Sequence, residues 1–127
     1  MYKRQVIVPV EKTDKELILS KHFGRAGYFA RCIVEAGSHR IVELIENTFK
    51  RRDVRAGLAV IRDLIKGRGV DCVITNEIGE IAYHALRDAF VEVYRGTDGS
   101  LEDNLRALLK GELELLTEPT HTSEEKK

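Results

Sequence analysis

The apolar residues of this chain change period once, between Glu46 and Val54, and that change limits the folds open to it. Upstream they come in short β-branched runs or alternate along the chain. Val6-Ile7-Val8-Pro9-Val10 reads as a buried strand with Pro9 marking its end. Leu17-Ile18-Leu19 adds a short extended piece after a charged turn. From Tyr28 to Glu35 the alternation places Tyr28, Ala30, Cys32 and Val34 on one face, with Phe29 and Ile33 on the other. Gly37-Ser38 predicts a tight turn, and Arg40 to Glu46 the returning strand of a hairpin.

Downstream the spacing becomes helical. Val54, Leu58, Ile61 and Ile65 recur on one stripe that Leu64 widens, and Gly67 and Gly69 end that helix. Val70 to Ile74 is a short buried strand. Ile78, Ala82, Ala85, Leu86 and Ala89 mark a second helix, and Val91 to Tyr94 another strand. Ser100 and Asp103 form a capping-box variant that opens a third helix with Leu101, Leu105, Leu108 and Leu109 on its apolar face. Strands separated by helices are parallel, because the crossover needs that length. The expectation is a single-domain α/β protein with a mixed sheet and three helices. The folded domain is expected over residues 1–115, with a polar, disordered tail over 116–127.

The bulk numbers narrow the function. The 127 residues fit one domain, and 43% hydrophobic residues suffice for a core. Lys+Arg and Asp+Glu balance at 21 each, which argues against a dedicated nucleic-acid binder. No apolar run approaches membrane-spanning length and no secretory leader is evident, so a cytoplasmic protein without a membrane partner is expected. Cys32 and Cys72 sit in strand-like runs and belong to no CxxC, so they read as core fillers. There is no HExxH, GxSxG or GxGxxG, and the four histidines (His22, His39, His84 and His121) are scattered.

Three stretches can still carry chemistry. In His22-Phe23-Gly24-Arg25-Ala26-Gly27 two glycines bracket a charged residue; His22 can ligate a metal through neutral imidazole and Arg25 can meet an anion. The plainer alternative has Phe23 plugging the core, the glycines making a turn and His22 on the surface. Thr75-Asn76-Glu77-Ile78-Gly79 lies between a buried strand and a helix, where α/β sheets collect ligands; alternatively Thr75 or Asn76 only caps the helix. Gly96-Thr97-Asp98-Gly99-Ser100 is a similar turn, too short and irregular for a P-loop.

Taken in order, "VIVPV", "SKHFGRAGYFARCIVE", "IVELIEN", "AGLAVIRDLIKGRGVDCVIT", "NEIGEIAYHAL" and "VEVYRGTDGSLEDNLRALLKGEL" resemble the dinitrogenase iron–molybdenum cofactor biosynthesis family, from about Val6 to Gly111. That family includes small carrier proteins. The resemblance implies a ribonuclease-H-like fold with a five-stranded mixed sheet in the order β-β-β-α-β-α-β-α. It also implies a non-enzymatic protein that binds an iron–sulfur or iron–molybdenum-type cluster and exchanges it with a cofactor donor or acceptor protein, as monomer or homodimer. By position, His22, Phe23, Gly24 and Arg25 fall on the family's HFG block, and Asn76, Ile78 and Gly79 on its IG turn. His22 is the implied metal ligand. Where relatives often carry glycine and asparagine before the IG and proline after it, this chain has Asn76-Glu77 and Glu80. Two other readings compete: a protein-interaction module without cofactor, and a ribonuclease-H-like nuclease. The nuclease would need carboxylates converging on the sheet, whereas the first strand offers none before Glu11.

Overall fold

Val6, Ile7, Val8 and Val10 are wholly shielded from solvent in the computed structural model, so strand β1 (Lys3–Lys12) is covered on both faces. The structure describes residues 3–48 and 56–120. β1 pairs antiparallel with β3 (Tyr28–Glu35) on one side and parallel with β5 (Cys72–Thr75) on the other. β4 (Ser38–Glu46) extends the antiparallel half and β6 (Glu92–Arg95) the parallel half. Two short strands complete the sheet: β2 (Leu17–Leu19) against the end of β1, and β7 (Glu114–Leu115) antiparallel to β6. The main path runs β4-β3-β1-β5-β6-β7.

Among the described residues three helical stretches cover this sheet. Helix α1 (Ala56–Val60) continues as a π-helical turn over Ile61–Ile65, closed by the Lys66 N–H donating to the Ile61 carbonyl at 2.8 Å. With α2 (Glu80–Asp88) it covers the Ile7 face, where Ile61, Ile65, Tyr83, Leu86, Phe23 and Phe29 share one core. On the opposite face α3 (Leu101–Leu109) packs Leu101, Leu105 and Leu108 over Val6, Val8, Cys32 and Ile74. Each buried aliphatic side chain contributes about 1.5–3 kcal/mol relative to exposure. The chain is therefore a three-layer α/β protein.

The alternation expected in β3 is realised: Ala30, Cys32 and Val34 face α3, while Phe29 faces the other core. The hairpin turn falls one residue earlier than expected. Ala36 (φ 43°) and Gly37 (φ 82°) form a two-residue loop with both φ positive, closed by the Glu35–Ser38 pair. Gly67 and Gly69 take positive φ after the π turn, ending it as anticipated. Val54 lies outside the described residues, and Leu58, expected in the apolar stripe, is 36% exposed. Ser100 caps α3, its Oγ accepting from the Asp103 N–H at 3.0 Å.

One expectation is corrected. The resemblance implied a ribonuclease-H-like sheet of five strands, whereas the described residues form a sheet of seven. β2 forms because the chain reverses after β1 and pairs with its end. β7 forms because the segment after α3 returns along the exposed edge of β6. β2 coincides with the extended piece expected over Leu17–Leu19, while β7, at two residues, is too short to show a period in the sequence. The region assigned to a polar tail also starts within the body: Leu116 is buried, and its N–H donates to the Val93 carbonyl at 2.8 Å.

Gly96 sits where β2, β5 and α3 crowd the end of β6. A Cβ placed there would lie 2.6 Å from Leu19 Cδ2, 2.7 Å from Asn104 Oδ1 and 2.9 Å from Ile74 Cγ2. Gly96→Ala should therefore lower stability by about 1–3 kcal/mol. In urea this should appear as an earlier midpoint with unchanged slope, and an unshifted midpoint would contradict the packing described.

Candidate functional site

β1, β5 and β6 run parallel, so their carboxyl ends, Lys12, Thr75 and Arg95, lie along one edge of the sheet. Tyr28 pairs with Val10, which brings the loop entering β3 to the same edge. Loops 20–27, 76–79 and 96–100 thus converge where open α/β sheets place their ligands.

Loop 20–27 is held by two polar side chains. The half-buried Glu11 carboxylate accepts from the Ser20 hydroxyl at 2.8 Å and from the Gly27 N–H at 3.1 and 3.2 Å, joining the two ends of the loop. From the other side, Asn47 Nδ2 donates to the carbonyls of Gly24 (3.0 Å) and Ala26 (2.8 Å), and its N–H donates to the Gly27 carbonyl. Phe23 is 4% exposed and meets Phe29 edge-on, with centroids 6.1 Å apart. His22 and Arg25 remain at the surface. Neither Gly24 nor Gly27 takes a positive φ. Gly27 is needed for space, since a Cβ there would lie 2.6 Å from Glu11 Oε1.

His22 borders a cavity of about 570 Å³ that Ile18, Leu19, Lys21, Asp98 and Gly99 also line. Asp98 accepts from Asn76 Nδ2 at 2.9 Å, so the loops after β5 and β6 are joined across the edge. Asn104, fully buried, fixes the second of these loops. Its Oδ1 accepts from the Thr97 N–H at 2.9 Å, and its Nδ2 donates to the carbonyls of Thr97 and Ser100. Neither Thr75 nor Asn76 caps α2: Thr75 Oγ1 donates to the Glu77 carbonyl, and Gly79 stands at the N-cap without a side-chain bond. The Ile78 N–H donates instead to Thr120 Oγ1 at 2.8 Å.

The predicted residues therefore divide. His22 lines the cavity and Asn76 reaches its rim through Asp98. Phe23 and Ile78 turn their side chains into the core below α2. Gly24 is tied to Asn47, and Arg25 is exposed away from the cavity lining. Sequence reasoning missed Asn47, Asn104 and Thr120, and weighed Glu11 only as a nuclease carboxylate. Among the described residues no group of three or more His, Cys, Asp or Glu could hold a metal ion, so His22 has no such partners. His84 is exposed with its ring edge-on to Tyr83, and His121 lies outside the described residues. No described helix is long and apolar enough to cross a membrane.

Residues 4–111 match the profile of the family described as dinitrogenase iron-molybdenum cofactor. The chain belongs to that family. This dinitrogenase-cofactor family member is 32% identical to an uncharacterised protein of Methanocaldococcus jannaschii over 96 residues, 76% of this chain and 80% of the relative. Among solved structures it superposes on the apo form of the orange protein of Desulfovibrio gigas, with a TM-score of 0.79 at 21% identity, covering 93% of this chain and 97% of that one. A NifB-like Thermotoga protein gives a TM-score of 0.68 at 28% identity, again over 93% and 97%. These likenesses place the fold with the orange protein and its dinitrogenase-like neighbours, in place of the ribonuclease-H-like assignment. As a member of the family, the chain is a small cofactor-associated protein.

Two predictions follow from the residues around the site. Glu11→Ala should leave the Gly27 N–H and the Ser20 hydroxyl without their acceptor, at a cost of about 1–3 kcal/mol. Trypsin should then cut faster at Lys21 and Arg25 in the native protein, while unchanged cleavage would show that the clamp does not hold the loop. The thiols are a separate matter. Cys32 and Cys72 flank Val6 in register, and burial pushes each thiol from near 9 up to about 12. Both should resist a disulfide reagent at pH 8 in the folded chain and react once it is unfolded. Because the unfolded thiols lose protons first, their contribution to stability is complete below about pH 9 and declines as pH rises toward 12.

Proposed function

We propose that the chain binds a preassembled iron–sulfur or iron–molybdenum-type cluster at the carboxyl edge of its sheet and hands it to a partner protein unchanged. The cluster is cargo, and the protein is a carrier rather than an enzyme. The observation that carries this reading is the clamped HFG loop, which presents His22 at a cavity of about 570 Å³ while Phe23 anchors the loop in the core. A loop braced by Glu11 and Asn47 fixes the backbone on either side of His22 before the cargo arrives, which lowers the ordering cost of binding. Lys21 lines the cavity with positive charge, set against the carboxylates of Glu11 and Asp98, which are bonded to Ser20 and Gly27 and to Asn76. The bond from Asn76 to Asp98 on the cavity lining supports the turn into α2, which carries Ile78 and Gly79, as its neighbour across the sheet edge.

One histidine completes the coordination of neither a free cation nor an ordinary protein-ligated iron–sulfur cluster, so the reading requires cargo that carries its own terminal ligands and takes a single contact from His22. Family membership and the neighbouring folds support the same cargo class. Anaerobic reconstitution with iron and sulfide, followed by visible absorption, tests the reading. Wild-type chain should take up a chromophore, and His22→Ala should weaken uptake roughly tenfold or more while keeping the far-UV circular dichroism, since His22 is exposed. Equal uptake by the two would remove His22 from the site; no uptake by either would overturn the proposal.

A further inference from the structure

Helix α2 ends on a residue that its backbone disfavours. The Val91 N–H donates to the Leu86 carbonyl and the Phe90 N–H to the Arg87 carbonyl, both at 3.0 Å, and Phe90 between them takes φ 63°. Helix α3 closes with the same pair of bonds, Glu112 to Ala107 and Gly111 to Leu108, and there the left-handed residue is Gly111 (φ 72°). A bulky side chain is strained in this conformation, and the Phe90 ring gains no burial within the chain in return, being 91% exposed. The residues just before it border a groove. Where α1 and its π turn lie beside α2, Leu58, Ile61, Ala85 and Ala89 line a cavity of about 360 Å³. The π turn adds Arg62 and, just after it, Lys66; α2 adds Asp88. Arg62 is paired with Asp63, whereas among the described residues Lys66 and Asp88 have no salt-bridge partner.

We propose that this face binds a second copy of the chain, each Phe90 seating in the groove of the other across a two-fold axis. A protruding ring and an apolar groove lie side by side on one face, so two copies complete both contacts at once and the assembly closes. A ring set far from its groove would build an open row of copies instead. The same two-fold lets Lys66 of each copy meet Asp88 of the other, so opposite charges border the apolar contact on both sides. An aromatic side chain seated in a desolvated pocket is the kind of anchor that dominates such contacts. Helix α2 runs from the carboxyl end of β5 to the amino end of β6, so Phe90 lies at the sheet edge opposite loops 20–27, 76–79 and 96–100. The dimer therefore leaves both carboxyl edges open, and the inference stands whatever they bind.

Sedimentation velocity of the full chain tests this. Wild type should pass from monomer to dimer as its concentration rises, and a chain still monomeric at about 1 mM overturns the proposal. Phe90→Gly removes the ring and suits the left-handed backbone. It should weaken dimerisation roughly thirtyfold or more, with a urea midpoint, measured where wild type is monomeric, equal to or above that of wild type. Dimerisation as strong as in wild type, or a lowered midpoint, shows that the ring does not serve association and overturns the proposal. The two-fold arrangement has its own readout. Lys66→Glu and Asp88→Lys should each weaken self-association, because each sets like charges together at both contacts. An equimolar mixture of the two variants should recover it, since every contact between positions 66 and 88 then joins opposite charges again. A mixture no better than either variant alone, or assembly that continues past the dimer, overturns the two-fold pairing.

Discussion

A strand with no solvent-facing side governs this molecule. β1 carries Ile7 into one core and Val6, Val8 and Val10 into the other, so helices must cover both faces of the sheet. Its neighbours differ in direction, β3 antiparallel and β5 parallel. The antiparallel side needs only a hairpin, whereas each parallel partner needs a helical crossover. The division of the chain into a strand-rich first half and a helix–strand second half follows from that requirement. It also brings the carboxyl ends of β1, β5 and β6 to one edge, together with the entrance to β3. The loops there are close to one another because the sheet puts them there, before any side chain of the site acts.

What then makes this edge more than a set of turns is polar bracing at the end of β1. Glu11 leaves the strand with its carboxylate between Ser20 and Gly27, and Asn47 holds the backbone between them from the other side. Gly27 leaves room for the carboxylate and Phe23 fixes the middle of the loop in the core. The consequence is a loop whose freedom is spent on folding rather than on binding. Asn104 does the same for the loop after β6. Both loops are thus held by buried or half-buried polar groups bonded to backbone, interactions that tolerate little movement.

The periodic parts of this architecture were legible in the sequence. Alternation in β3, the apolar faces of α2 and α3 and the Ser100 cap each leave a local trace, because neighbouring residues see the same environment. The bracing leaves none. Glu11 acts on Gly27 across 16 residues and Asn47 on Ala26 across 21, through backbone atoms that every residue possesses. β7 is too short for a pattern, and Thr120 sits in a stretch whose polarity reads as solvated chain. Tyr83 was passed over because it falls outside the alanine–leucine stripe, yet it is buried and its hydroxyl bonds the Leu116 carbonyl. The HFG and IG blocks were found by their order along the chain. Burial then divides their residues, since Phe23 and Ile78 point inward while His22 faces the cavity.

On the carrier reading proposed above, release would slow as more side chains gripped the cargo. The described residues offer one imidazole at a cavity and no group of three or more His, Cys, Asp or Glu able to hold a metal ion. Under that proposal, the arrangement would favour transfer over storage. The buried cysteines reinforce the same economy: thiolates at this edge would hold iron tenaciously, but Cys32 and Cys72 lie in the sheet interior with their protons retained.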